Sequence, residues 1–143
     1  MGEPLIADTG GLLQALARRR DGSAYWPDYE AALRGASVVV VPALVLPEVD
    51  YLLREDRAAM RALIADLFDP ASRYEYEHVS AQDLVRAIAI DAKFASLQLG
   101  LVDGAVAAVA ERRGVSRVLT TDRRDFGAIR VGPRFDQALT LVP

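Results

Sequence analysis

Four acidic side chains sit against apolar runs: Asp8 in LIADTGGLL, Glu48 in VVVVPALVLPEVDYLL, Asp103 in LGLVDGAVAAV and Asp122 in VLTTDRRDF. Carboxylates seldom enter apolar surroundings unless they are paired, hydrogen-bonded or bound to metal. Four of them brought together repel one another, and a divalent cation with oxygen ligands is the usual solution. The matching chemistry is phosphodiester hydrolysis with Mg²⁺ or Mn²⁺, in which the cation polarises a phosphoryl oxygen and makes water nucleophilic. Mg²⁺ keeps several waters, so a few carboxylates suffice. Read singly, two of the four have plainer explanations: Asp103 suits a helix N-cap and Asp122 a polar turn. Asp8 and Glu48, the latter flanked by Val45, Leu46 and Val49, are harder to explain as structure.

These residues need a scaffold, and 143 residues are enough for one domain with a real hydrophobic core. With 52% hydrophobic and 26% charged residues, the chain reads as globular. The absence of Cys excludes disulfides and thiolate metal sites. A lone histidine, His78, cannot build a His-rich zinc site, so catalysis falls to carboxylates. No apolar stretch reaches the ~20 residues of a membrane span, and no signal segment opens the chain. Ile6 stands where a myristoylation motif requires Ser or Thr. A cytoplasmic location is therefore expected. The net charge of −3 is not that of a bulk nucleic-acid binder. Residues 112–134 nevertheless hold seven arginines against Asp122 and Asp125. With Arg18, Arg19 and Arg20 they are either solvated helix ends that favour the macrodipole or phosphate contacts.

The apolar pattern alternates strands with helices. Strands are expected at 4–8, 38–41, 74–79, 118–120 and 139–142. Helices are expected at about 11–20, from Trp26 to Gly35, at about 43–55 with a start near 45 or a kink at Pro47, at 57–68, at 81–96 behind a Ser80 cap, and from Asp103 to about Arg113. Gly114 suits the C-cap of the last, and Asp122 to Phe126 reads as a polar turn. This order implies an α/β fold with a four- or five-stranded, mainly parallel sheet covered by helices on both faces. In such a sheet, ligands gather at the carboxyl ends of the strands, where Asp8 and Asp122 fall.

In order and spacing, LIADTGGLL, PALVLPEVDYLL, LGLVDGAVAAVAERRG and VLTTDRRDF resemble the motifs of the PIN-domain nucleases, and more narrowly those of VapC-type toxins from bacterial toxin–antitoxin pairs. The resemblance spans nearly the whole chain, residues 1–143, as a single PIN-like three-layer α/β/α domain. It implies an Mg²⁺- or Mn²⁺-dependent endoribonuclease acting on structured RNA such as tRNA or rRNA, a cognate antitoxin, and a homodimer. By motif, Asp8, Glu48, Asp103 and Asp122 fall on the family's acidic catalytic and metal-ligating positions. Thr9 and Thr120 fall on its hydroxyl positions, and Asp125 on a less constant acidic position in a supporting place. Gly10, Gly11 and Gly104 depart from the family pattern in a direction that would loosen the site. An antitoxin arginine would fit the negative well of the carboxylates by bidentate pairing.

Two other readings compete. A dehalogenase-type phosphatase needs Asp two residues after its nucleophile, where Gly10 stands, and a receiver domain needs a Lys near its last strand, whereas the only Lys is Lys93. A PIN-like module that binds RNA or a partner without cleaving should lack one of the acids, and none is missing.

Overall fold

The computed structural model describes residues 2–143. The first half runs β1 (Leu5–Ala7), α1 (Thr9–Leu16), α2 (Pro27–Gly35), β2 (Val39–Pro42), α3 (Val45–Leu52), α4 (Arg57–Leu67) and β3 (Tyr74–Glu77). The second half runs α5 (Ala81–Lys93), a 3₁₀ turn (Ala95–Leu97), α6 (Gly100–Arg113), β4 (Arg117–Leu119), α7 (Arg123–Ala128), β5 (Arg130–Val131), β6 (Gln137–Ala138) and β7 (Thr140–Val142).

The short strands β1 and β2 are wholly buried. Buried apolar runs of this kind, β-branched at Val39 to Val41, suit a parallel sheet covered on both faces. Five strands form the sheet in the order β3-β2-β1-β4-β7, and every neighbouring pair is parallel. The chain leaves β1 toward β2 and β3, then crosses back to β4 and β7. The strand order therefore reverses between β1 and β4, and this is the crevice where ligands bind in open α/β sheets. Register brings Ala7 beside Leu119, so the residues that follow, Asp8 and Thr120, face each other at the carboxyl edge. The result is the three-layer α/β/α arrangement expected from the strand–helix alternation.

Local chemistry sets most helix boundaries. The Ser80 hydroxyl accepts from Asp83 N–H while Asp83 accepts from Ser80 N–H, a full capping box at the start of α5. Pro47 lies in the first turn of α3, where the missing N–H costs nothing. Residues Gly104 to Ala110 of α6 are all buried, as expected of a helix apolar on every side. Gly114 ends α6 in the left-handed region at φ 65°.

Several expectations need correction. Helix α1 stops at Leu16, so Arg18 to Arg20 lie beyond it rather than in its last turn. The Arg18 guanidinium donates to the Ala15 and Ala17 carbonyls and pairs with Glu30 at 3.1 Å, a tertiary arrangement that overrides the helix propensity of the arginine run. Arg112 and Arg113 pair with Glu77, Asp83 and Glu75, which commits these two members of the basic run to holding α6 against β3 and α5. Asp103 does not open α6. The helix begins at Gly100, whose N–H is taken by the Asp91 carboxylate at 3.1 Å, and Asp103 is its fourth residue. Asp122 to Phe126 is not a turn, because Asp122 caps α7 by accepting from Asp125 N–H at 3.0 Å. The antiparallel pair β5–β6 lies outside the expected strands, since two-residue strands show no alternation.

Candidate metal centre

At the crevice between β1 and β4, Asp8 ends the central strand and caps α1. One carboxylate oxygen accepts from Gly11 N–H at 2.7 Å, and the other accepts from the Thr120 hydroxyl. The Thr120 oxygen in turn accepts from Asp122 N–H at 2.9 Å, so this hydroxyl ties the ends of β1 and β4 to the loop carrying Asp122. Asp8 and Thr120 are both buried. The Tyr29 hydroxyl donates to the Thr120 carbonyl at 3.3 Å and adds α2 to the same frame.

Asp103 arrives from the first turn of α6, and Asp122 and Asp125 from the start of α7. Each of these three offers a carboxylate oxygen, and the three atoms lie within 4.8 Å of one another. Asp125 thus sits in the cluster itself rather than behind it. The three-residue spacing from Asp122 was the available signal, because an N-cap residue and the third helical residue meet across the first turn. Asp8 and Glu48 stand next to this trio, and the Glu48 carboxylate accepts from the Thr9 hydroxyl at 2.5 Å. Thr9 and Thr120 therefore each hold one of the flanking acids.

The crowding has an electrostatic signature. Loss of solvent, followed by the charges of Asp8, Asp122, Glu48 and Asp125, pushes Asp103 from about 3.8 up to about 7. Burial raises Asp8 to about 6, against the lowering effect of its bonds from Thr120 and Gly11. Asp125 is raised by desolvation and then by the Asp122 carboxyl beside it. Asp125 Oδ1 is buried and has no hydrogen-bond partner. A donor set made wholly of carboxylate oxygens suits Mg²⁺ or Mn²⁺ rather than softer metals. The orphaned Asp125 oxygen and the raised carboxyls are what such a set shows when its charge is not offset, so the residues fit a divalent cation.

The glycines at this edge have a different role from the one expected. A Cβ on Gly11 would lie 2.0 Å from the Leu119 carbonyl oxygen, and one on Gly104 would lie 2.7 Å from the Ala87 carbonyl oxygen. Gly11 lets α1 approach β4, and Gly104 lets α6 approach α5. Both tighten the frame of the site where looseness was anticipated.

The PIN-domain family profile matches residues 5–131. The chain belongs to the PIN-domain family. Within that family, this PIN protein is 31% identical over 146 residues to Ribonuclease VapC26 of Mycobacterium tuberculosis, covering 97% of its own length and 100% of that relative. It is a VapC-type member. Solved structures share its fold. VapC20 of M. tuberculosis, a toxin described as cleaving the sarcin–ricin loop, superposes with a TM-score of 0.65 at 20% identity, over 84% of this chain and 91% of that one. A toxin–antitoxin complex from Klebsiella pneumoniae superposes with a TM-score of 0.65 at 19% identity, over 87% and 92%. VapBC2 of Rickettsia felis, bound to promoter DNA, gives 0.62 at 14% identity over 96% of each chain.

The raised carboxyls of this PIN domain make a prediction for the metal-free protein. In an unfolded chain, Asp8 and Asp103 titrate near 3.8; in the folded one, near 6 and 7. Between these values the native state binds more protons than the unfolded state, so stability falls as pH rises. The contribution is complete below about pH 4 and lost as pH passes about 7. In EDTA, the melting temperature should be higher at pH 5.5 than at pH 8. Added Mn²⁺ should raise it most at pH 8, where the acids are ionised and available to the ion. Scanning calorimetry at the two pH values checks this; an EDTA melting temperature that rises toward pH 8 contradicts it.

Proposed function

We propose that this PIN protein is a divalent-metal-dependent endoribonuclease, the toxin of a toxin–antitoxin pair, and that it cleaves structured RNA such as tRNA or rRNA. The convergence of Asp103, Asp122 and Asp125 beside Asp8 and Glu48 at the β1–β4 crevice carries this reading. The likeness to a protein named as a ribonuclease supports it. Asp8, Glu48, Asp103 and Asp122 are proposed as the catalytic and metal-ligating set, with Asp125 as a further ligand.

When bound, Mg²⁺ or Mn²⁺ would supply Lewis acidity to a phosphoryl oxygen and lower the pKa of a bound water below that of bulk water. The protein's part is positioning. The Thr120 hydroxyl and Gly11 N–H fix both oxygens of Asp8, and Thr9 fixes one oxygen of Glu48. Asp122 is locked by its cap on α7. Groups held in this way need little reorganisation when charge develops on phosphate.

Toxin–antitoxin complexes among its structural neighbours support a cognate antitoxin as partner. A cytoplasmic location follows from the proposed role; among the described residues no helix is long and apolar enough to cross a membrane. The exposed Val85 and Ile88 of α5 support a homodimer, because apolar patches of this kind mark interfaces.

The test is cleavage of purified tRNA and rRNA by the purified chain, with mapping of the new RNA ends. Cleavage should require Mn²⁺ or Mg²⁺, stop in EDTA and return when metal is restored. Binding of Mn²⁺ and RNA without a cut in either pool would favour the non-cleaving module.

A further inference from the structure

Helix α3 does more than deliver Glu48. Its last turn ends in two apolar side chains turned to solvent, Tyr51 at 64% exposure and Leu52 at 53%. Neither contributes to the core. Both line a shallow cavity of about 440 Å³ whose other walls are Pro47, Glu48 and Thr9. The cavity thus shares Glu48 and Thr9 with the acidic cluster and continues it across the surface.

Tyr51 follows Glu48 by three residues, so the two side chains lie on one helix face with about 5–6 Å between Cβ atoms. Its ring is fixed from one side: the Arg54 guanidinium carbon lies 4.3 Å from the ring centroid, and Arg54 is anchored by donating to the Tyr51 carbonyl at 2.8 Å. An exposed aromatic ring held by a cation, in a cavity that shares Glu48 with a cluster suited to phosphodiester chemistry, has the features of a stacking platform. The cation above the ring also favours a polyanion over an apolar protein segment as occupant.

We infer that Tyr51 is the platform for a nucleobase next to the scissile phosphate, with Pro47 and Leu52 flooring its pocket and Arg54 as a phosphate contact. This rests on the ribonuclease reading and names a subsite and a specificity-determining residue for it. The ring contacts the base, not the reacting atoms, so its loss should weaken binding and blur the choice of cut site while leaving the chemical step intact.

The experiment uses the full chain, Tyr51→Ala and Tyr51→Phe, with tRNA and with a hairpin oligoribonucleotide copied from a mapped cut site. Tyr51→Ala should raise KM for the hairpin about tenfold, in line with the cost of losing one base–aromatic stack, with kcat nearly unchanged. The base preference at the mapped ends should broaden. Tyr51→Phe should keep the parental KM and ends. Both variants should retain the parental rise in melting temperature with Mn²⁺. Parental KM and cut sites in Tyr51→Ala would overturn the platform while leaving the nuclease reading in place. The same would follow if Tyr51→Ala changed the mass seen in light scattering but not KM, which would mark a protein interface. A fall in kcat with loss of the Mn²⁺ response would show that the ring supports Glu48. A parental chain that cuts no RNA would overturn the nuclease reading and the platform together.

Discussion

Replacing Asp103 by Asn should lower RNA cleavage by more than about a hundredfold, since groups that merely orient a metal ligand already cost 10–100-fold. The fold should survive. Asp103 lies inside α6, whose first N–H is held by Asp91, so no cap is lost. The substitution removes a first-turn charge worth about 0.3–1 kcal/mol toward the helix dipole. Against this, it removes a carboxylate raised by desolvation and by four neighbouring acids. The second effect is the larger, and metal-free Asp103→Asn should melt at or above the parental temperature near pH 8. Its melting temperature in EDTA should also depend less on pH, and Mn²⁺ should raise it less than in the parent. Cleavage assays and calorimetry on the same preparation decide the matter. Parental cleavage together with a parental Mn²⁺ response would remove Asp103 from the site.

Gly11→Ala should be among the most damaging of small substitutions. The added methyl would meet the Leu119 carbonyl oxygen at 2.0 Å, its carbonyl carbon at 2.4 Å and Thr120 N at 2.8 Å. All three are backbone atoms of a central strand or its end, so no side chain can rotate away. Helix α1 must shift from β4, which stretches the Gly11 and Thr120 bonds that hold Asp8. A cost of about 3 kcal/mol or more is expected for such overpacking, a large part of the roughly 5–15 kcal/mol that stabilises a domain. Urea denaturation followed by circular dichroism should show a lowered midpoint, and residual folded protein should cleave RNA poorly. Gly35→Ala is the control. A Cβ there meets nothing within 4 Å, and it should leave stability unchanged or raise it by up to about 1 kcal/mol. Equal effects of the two substitutions would contradict the close approach of α1 to β4.

Much of the scaffold is written locally. The buried runs at Leu5–Ala7 and Val39–Pro42, the Ser80 capping box and the Gly114 end of α6 each depend on a few adjacent residues, whose dihedral preferences and burial pattern survive in any compact fold. The acids Asp8, Glu48, Asp103 and Asp122 were legible for a similar reason: a charge beside an apolar run is conspicuous wherever it sits. Their division of labour was not. Whether an aspartate caps a helix or faces a shared crevice depends on which strand lies beside its own. That follows from the order β3-β2-β1-β4-β7, which the alternation of strands and helices leaves open. Only this order sets Thr120 against Asp8, turns Glu48 toward Thr9 and brings Asp125 into the trio with Asp103 and Asp122. The glycines follow the same rule. In the chain, Gly11 is an absent side chain, and its necessity lies in the Leu119 carbonyl, 108 residues away in sequence, that occupies the space a Cβ would need.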